Sequence, residues 1–158
     1  MSGVNLTCHA YGQLLAEAGH ASDGNETGGL LLGCDLGMGP GFVVRQCGDP
    51  GPNAIRGPVS FTRDLEHARM LAERAAKFDG SVWIGEWHTH LIELPAPSEH
   101  DLLTYRTLLH DRTIDFTRLL SLIILPADDG RWSPPRIFAW SVTANSARPL
   151  PVIIEDSP

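Results

Sequence analysis

A glycine-rich stretch between two apolar runs is the feature that most constrains how this chain can fold. The runs GGLLLGCD (28–35) and GFVVRQCG (41–48) flank the segment LGMGPG. Two apolar runs joined by turn-forming glycines predict a β-hairpin. The segment SVWIGEWHTH (81–90) is rich in β-branched and aromatic residues and predicts a further strand. Residues 119–125 and 137–142 complete a predicted sheet of about five strands.

Three segments with helical spacing of apolar residues accompany these strands. They cover residues 6–19, residues 64–78 and residues 99–110, and the third begins after a capping residue, Ser98. Strands and helices together predict a mixed α/β (α+β) fold in which a mixed central β-sheet is flanked by about three helices.

The length and composition fit a single domain. A chain of 158 residues can bury a core without disulfides, and 42% apolar with 20% charged residues is ordinary for a soluble globular protein. We expect residues 1–143 to form this domain and residues 144–158 to be a C-terminal tail with little structure. The proline- and glycine-rich residues 49–59 predict a loop.

Charge and localisation signals exclude several classes of function. The net charge is −7 and the 12 Lys and Arg residues are scattered, which argues against a nucleic-acid partner. The first ten residues, MSGVNLTCHA, lack the pattern of a signal peptide, and the longest apolar run is too short to span a bilayer. We therefore expect a cytoplasmic protein without a membrane partner.

The motif His88-Thr89-His90 ends the predicted strand 81–90. Residues two apart in a strand share a face, with Cα atoms roughly 6.5–7 Å apart. Two imidazoles on one face can converge on a single zinc ion at about 2.0–2.1 Å per bond. Taken alone, this pair is more often a chance match or a polar surface than a metal site.

Asp101 falls in the first turn of the helix that Ser98 begins. A carboxylate there lies near the positive end of the helix dipole and stays ionised, as a metal ligand must. The same S-x-x-D pattern is close to an ordinary capping box, and on its own it favours a cap. The two roles are compatible, because a capping serine can still present its hydroxyl group to a site.

Glu26 stands immediately before the apolar strand that starts near Gly28, so it is expected at the mouth of that strand. By itself it is more simply interpreted as a solvated loop carboxylate. Two histidines and one aspartate, however, leave a fourth coordination position open, which is the catalytic rather than the structural zinc pattern. Glu26 is then available to accept a proton from activated water, and Ser98 to hydrogen-bond a developing oxyanion.

The order Glu26, His88-Thr89-His90, seven residues, Ser98, two residues and Asp101 resembles the JAMM motif of JAB/MPN-type zinc metalloproteases. The segments ETGG, LLLG and IGEWHTH around it resemble the bacterial Prok-JAB branch, and the resemblance extends from about residue 5 to residue 142. It implies a single JAB/MPN-like domain. It also implies that His88, His90 and Asp101 bind Zn²⁺, that Glu26 activates water and that Ser98 stabilises the tetrahedral intermediate.

The resemblance also implies a substrate class. Its members cleave isopeptide or peptide bonds at the C-terminus of ubiquitin or a ubiquitin-like protein. This sequence context resembles deconjugating peptidases of antiphage operons that also encode activating-enzyme-like and conjugating-enzyme-like proteins. Deconjugation and precursor processing both stay open. A non-catalytic binding module for a ubiquitin-like partner is the alternative, although such relatives typically lack part of the motif.

Positions around the motif carry three further expectations. Leu91 stands where the family usually has proline, so we expect a looser loop over residues 91–97 with no ligand lost. Ser60 and Phe61 are candidates for binding an extended substrate tail at a strand edge, and the alternative is an ordinary strand end. Glu86 is either a hydrogen-bond partner for a metal-binding imidazole or one half of a salt bridge.

Overall fold

The computed structural model of the protein describes residues 3–156. The three predicted helices are confirmed. Each begins after a residue whose side chain accepts a backbone N–H, namely Thr7, Asp64 and Ser98. A short 3₁₀-helix, Gly19–Asp23, extends the first one. The α-helices are α1 (Cys8–Ala18), α2 (Leu65–Asp79) and α3 (Glu99–His110).

Eight strands form one mixed sheet. They are β1 (Val4–Leu6), β2 (Gly28–Asp35), β3 (Phe42–Cys47), β6 (Val82–Thr89), β7 (Leu119–Leu125), β8 (Arg136–Val142), β9 (Ala147–Leu150) and β10 (Val152–Ile154). Their order in the sheet is β10-β1-β3-β2-β6-β7-β8-β9. Two more strands, β4 (Ile55–Arg56) and β5 (Phe61–Thr62), pair with each other in a small hairpin.

The five predicted strands are confirmed as the continuous middle of this sheet, but the expectation of little structure after residue 144 is wrong. β9 pairs antiparallel with β8, and β10 pairs parallel with β1. Both are short segments without a periodic apolar pattern. β9 forms a hairpin with the strand directly before it, whereas β10 is defined by its pairing with a strand at the other end of the sequence. The ends of the predicted division, residues 1–2 and 157–158, lie outside the described residues.

Helices cover both faces of the sheet. Leu120, Leu122 and Ile124 of β7 belong to the apolar cluster that packs against α1. Their neighbour Leu119 points to the opposite face and joins the cluster beneath α3. α2 covers the same opposite face, where its alanines Ala68 and Ala75 pack on Leu30 and Leu32 of β2. The face opposite α1 is therefore the one on which α2 and α3 meet the central strands.

A β-bulge in β6 sets the direction of its last side chains. Leu31 of β2 pairs with Gly85 and Leu32 pairs with Trp83, so Ile84 is the extra residue. Beyond the bulge, Trp87 packs into the α1 cluster. Alternation along the strand then directs the side chain of His88 to the opposite face, where α3 lies.

No helix within residues 3–156 combines the length and the apolar character that crossing a lipid bilayer requires.

We predict opposite effects of alanine at two glycines. A Cβ atom at Gly85 would overlap the carbonyl oxygen of Leu120 in β7, whereas a Cβ atom at Gly12 in α1 meets nothing within 4 Å. Gly85→Ala should lower the free energy of unfolding by about 1–3 kcal/mol. Gly12→Ala should raise it by about 0.5–1 kcal/mol. Urea unfolding of both variants measures this, and equal midpoints would contradict the packing described for β6 and β7.

Candidate metal centre

Three separate segments carry the residues that the sequence singled out. His88 lies at the end of β6 and His90 directly after it, Asp101 lies in the first turn of α3, and Glu26 lies in the segment before β2. β2 brings the last of these to β6, because Gly28 pairs with His88. A side chain at Gly28 would overlap the backbone of β6 at Trp87, so this close approach requires glycine.

Three side-chain atoms form a small triangle in the centre of this site. Nε2 of His88 lies 3.0 Å from Nε2 of His90, and Oδ2 of Asp101 lies 3.1 Å and 3.2 Å from these two nitrogens. Tetrahedral zinc with bonds of about 2.0–2.1 Å places its ligand atoms about 3.3 Å apart. The three atoms are therefore of the right chemical type and close to the right spacing for one zinc ion.

Asp101 is both a helix cap and a member of this triangle. Its Oδ2 accepts the Ser98 N–H at 2.8 Å, and its own N–H donates to Ser98 Oγ at 3.1 Å, which completes a capping box. Burial alone would raise the pKa of Asp101, but the two imidazoles and the Ser98 N–H hold it far below its ordinary value. The carboxylate is thus ionised and fixed in direction by the helix it caps.

The outer nitrogen of His90 has a backbone partner. Its Nδ1 lies 2.8 Å from the carbonyl oxygen of Leu94, and a carbonyl can only accept, so Nδ1 carries the proton. In the neutral imidazole this leaves the Nε2 lone pair for a metal. Burial lowers the pKa of His90, but Asp101 and the Leu94 carbonyl outweigh it, and the pKa lies above its usual value in the absence of a metal.

The outer nitrogen of His88 faces a buried tyrosine that the sequence analysis missed. The hydroxyl oxygen of Tyr105 lies 3.5 Å from His88 Nδ1 and 2.9 Å from Ser121 Oγ. Burial raises the pKa of Tyr105, so this hydroxyl group stays neutral. Tyr105 follows Asp101 by one helical turn, and this i,i+4 spacing on α3 is the sequence signal that could have identified it.

Glu26 is buried next to the two histidines. A carboxylate oxygen of Glu26 lies within 4.8 Å of an imidazole nitrogen of both His88 and His90. Burial raises the pKa of Glu26 to about 7; the charge of Asp101 adds to this effect, and His90 opposes it. Two carboxyl groups of one site thus have pKa values that differ widely, which is how acid–base roles are divided in active sites.

Two cavities adjoin the triangle, and Asp101 borders both of them. The larger, of about 410 Å³, is lined by His88 and Tyr105 and by Phe61 and Arg63 from beyond the hairpin turn. The smaller, of about 50 Å³, is lined by Glu26, Ser98 and His90 together with apolar residues, Pro58, Val59, Leu91, Ile92 and Leu94. The triangle therefore lies between a wide cavity and a much smaller one.

The remaining sequence candidates lie close by. Phe61 is part of β5 and of the larger cavity wall, whereas Ser60 is exposed in the hairpin turn, where its carbonyl accepts Gly57 N–H. Glu86 forms an ion pair with Arg63, which corresponds to the salt-bridge alternative. The guanidinium of Arg63 also stands 5.5 Å from the centre of the Trp83 ring.

The loop after His90 is held without the proline that the family usually has. Besides the bond from His90 to the Leu94 carbonyl, Trp140 Nε1 donates to the carbonyl of Pro95 at 2.9 Å. Arg136 binds both carboxylate oxygens of Glu93 at 2.6 and 2.8 Å. Contacts from His90 and from two residues of β8 thus restrain the loop in the place of a proline at position 91.

Comparison with known proteins gives these features a family. The model of the family described as prokaryotic homologs of the JAB domain (Prok-JAB) matches residues 10–143. A protein of Escherichia coli strain TW11681 named CD-NTase/cGAS isopeptidase is 29% identical over 82 residues, and the match spans about half of each protein, 51% of this chain and 51% of the relative.

A solved structure shows that the fold is shared. The solution structure of protein DSY2949 from Desulfitobacterium hafniense superposes with a TM-score of 0.69 over 98% of this chain and 94% of that chain, at 23% sequence identity. Both the fold and the family predicted from the motif are confirmed. Since the family model covers residues 10–143, the chain belongs to the prokaryotic JAB-domain family, Prok-JAB.

Proposed function

We propose that the protein is a zinc-dependent isopeptidase of the JAMM type that cleaves after the C-terminus of a ubiquitin-like protein. The observation that carries this proposal is the triangle of His88, His90 and Asp101 with the buried carboxyl group of Glu26 beside it. Membership of the JAB-domain family and the name of the E. coli relative support the same reaction class.

The two histidines and Asp101 would hold the metal ion. Zinc bound there supplies a Lewis acid that polarises a carbonyl group and makes water more acidic. The chain contributes the direction of the three donor atoms. Leu94 orients His90, the Tyr105 hydroxyl group stands beside His88, and the capping box orients Asp101.

Glu26 would carry the proton. As the water oxygen attacks the carbonyl carbon of the isopeptide bond, the Glu26 carboxylate accepts one proton from that water. It then donates the proton to the nitrogen of the leaving lysine as the C–N bond breaks. The second proton of the water then passes from the new carboxyl group to the amine, so the products near neutral pH are a carboxylate and the ammonium group of lysine. Burial raises the pKa of Glu26 to about 7 when no metal ion is bound, and the charge of a bound zinc ion would lower it and favour the carboxylate that accepts the proton.

Ser98 would stabilise the developing oxyanion. Its Oγ accepts the Asp101 N–H, so the hydrogen of the hydroxyl group remains free to be donated. Together with Glu26 and His90 it lines the smaller cavity, where few water molecules fit. A hydrogen bond in such a site is stronger than one in bulk water.

The substrate tail would lie in the larger cavity. Phe61 provides an apolar wall beside His88, and Ser60 stands at the exposed turn of the same hairpin, where an extended peptide can pair with a strand edge. The name of the E. coli relative favours conjugates of CD-NTase enzymes as the physiological target. Activating-enzyme-like and conjugating-enzyme-like proteins of an antiphage system in the cytoplasm would then form those conjugates.

The metal site predicts a defined zinc content. Wild-type protein reconstituted with zinc and desalted should hold about one ion per chain, and His88→Ala and Asp101→Asn should hold almost none. Asn keeps an oxygen acceptor for the α3 cap, so loss of zinc would not reflect loss of the helix. His100→Ala, which removes an exposed histidine next to Asp101, is the matched control and should bind normally. Mass spectrometry of the metal measures this, and equal zinc in all four proteins would contradict the site.

Tyr105 predicts a graded effect on zinc affinity. Tyr105→Phe keeps the packing of the ring but removes the hydroxyl group beside His88 Nδ1. Because the distance of 3.5 Å is long for a hydrogen bond, we expect a loss of up to about tenfold, the low end for such supporting groups. Chelator competition measures the affinity. Tyr11→Phe, on α1 at the opposite face of the sheet, should show no change.

Cleavage is tested with two defined conjugates. Each joins a C-terminal carboxyl group to the lysine side chain of a dye-labelled peptide, one from ubiquitin and one from a bacterial CD-NTase. Release of the dye peptide should occur with wild-type protein and fall by about 10²-fold or more in Glu26→Gln and His88→Ala. The melting temperatures should be unchanged when all three proteins are compared without metal, because bound zinc itself stabilises the folded state. The exposed Glu99→Gln serves as the matched control.

Retained cleavage in both variants would refute the mechanism. If zinc-loaded wild-type protein binds the conjugates but releases no dye from either, the chain is instead a binding module for a ubiquitin-like partner.

A further inference from the structure

We propose that Arg56 is a positioning residue for Glu26, holding its backbone so that the buried carboxyl group stays beside the two histidines. This inference rests on the proposed function, in which Glu26 is the general base. Arg56 lies on β4, in the hairpin that the sequence analysis treated as a loop and to which it assigned no role beyond substrate contact at Ser60 and Phe61.

The guanidinium of Arg56 makes five hydrogen bonds to the segment that ends at Glu26. Two go to the carboxylate oxygens of Asp23, at 2.8 and 3.1 Å. Three go to backbone carbonyl oxygens: those of His20 at 3.1 Å, Asn25 at 3.2 Å and Glu26 itself at 3.0 Å. One side chain thus binds this segment at four of its residues.

The hairpin binds both backbone polar groups of Glu26. Its N–H donates to the carbonyl of Gly57 at 2.8 Å, and its carbonyl accepts Nε of Arg56. The next residue, Thr27, is bound instead to β6, through Thr89. Glu26 is therefore the position at which the chain passes from support by the hairpin to support by the central sheet.

The segment before Glu26 has little other support. Residues 22–24 are exposed, and Gly24 has a φ of 85°, which glycine adopts without strain. Without the guanidinium, the carbonyl groups of His20, Asn25 and Glu26 would lose the hydrogen-bond donor that they share. The Glu26 carboxyl group could then move toward water, and a shift of about 1 Å in a reacting group can cost about 10²-fold in rate.

Arg56 acts through Glu26 and not through the substrate. The donors of its Nε, Nη1 and Nη2 atoms are directed at its own chain, and its side chain is 24% exposed. Arg63, in contrast, borders the larger cavity. In the hairpin, Arg56 pairs with Phe61, which also borders that cavity. Of these two paired residues, Arg56 on β4 supports Glu26, and Phe61 on β5 forms part of the cavity wall.

The test compares Arg56→Ala and Arg56→Lys with a matched control, Arg118→Ala. Arg118 also binds a carboxylate and a loop carbonyl, those of Asp35 and Gly37, but at the far end of β2 from Glu26. Cleavage of the ubiquitin–lysine conjugate gives kcat and KM. Metal analysis gives zinc content, and NMR-detected hydrogen exchange gives the protection of the Glu26 amide.

Arg56→Ala should lower kcat by about tenfold or more, with KM and zinc content within twofold of wild type and with faster exchange of the Glu26 amide. Arg56→Lys keeps the charge but not the fork of donors, so its kcat should lie between those of wild type and Arg56→Ala. Arg118→Ala should lower the melting temperature and leave kcat unchanged. If Arg56→Ala does not fold, Asp23→Asn, which weakens the same clamp, should show the same pattern to a smaller extent.

An unchanged kcat in Arg56→Ala, or a fall in kcat that Arg118→Ala matches at equal loss of stability, would overturn the proposal. So would unchanged exchange of the Glu26 amide. The exchange measurement needs no substrate, so it tests the positioning role of Arg56 separately from the proposed isopeptidase function. If wild-type protein cleaves neither conjugate, the proposed function fails, and amide exchange still decides whether Arg56 fixes Glu26.

Discussion

The antiparallel pairing of β2 with β6 is the interaction on which the rest of this site depends. It places Gly28 opposite His88, and glycine lets the two backbones approach closely enough for Glu26 to lie beside the histidines. The bulge at Ile84 then directs Glu86 and His88 to the face covered by α2 and α3. Chemical groups more than sixty residues apart in the chain meet because these two strands pair in one register.

Electrostatics divides the work between the two carboxyl groups of the site. Asp101 accepts hydrogen bonds from a helix N-terminus and faces two imidazoles, which keeps it ionised. The hydrogen bonds of the described residues include no comparable donor to the Glu26 carboxylate. Burial raises the pKa of Glu26 to about 7 when no metal ion is bound. The same functional group would serve opposite purposes, because the carboxylate of Asp101 is bound in a helix cap whereas the carboxyl group of Glu26 is buried without such a donor among the described residues.

The hairpin of residues 55–62 connects this chemistry to the surface. Its strands are only two residues long, so its backbone pairing alone can contribute little stability. Side chains hold it in place instead, with Arg56 on the Glu26 segment and, just after β5, Arg63 on Glu86. A proline- and glycine-rich stretch thus has a defined position because two guanidinium groups fix it.

The sequence by itself determined the helices, the five central strands and the residue types of the site, because apolar periodicity, capping residues and the motif from Glu26 to Asp101 are local patterns. Only the tertiary structure decided that β1, β9 and β10 join the sheet. β1 and β10 pair with each other across nearly the whole chain, and β9 is a short segment without a periodic apolar pattern. The tertiary structure also decided that Asp101 is both a cap and a neighbour of two histidines, and that Tyr105 and Arg56 support the site. Distances between side chains on different elements depend on strand register and helix packing, which no local pattern encodes.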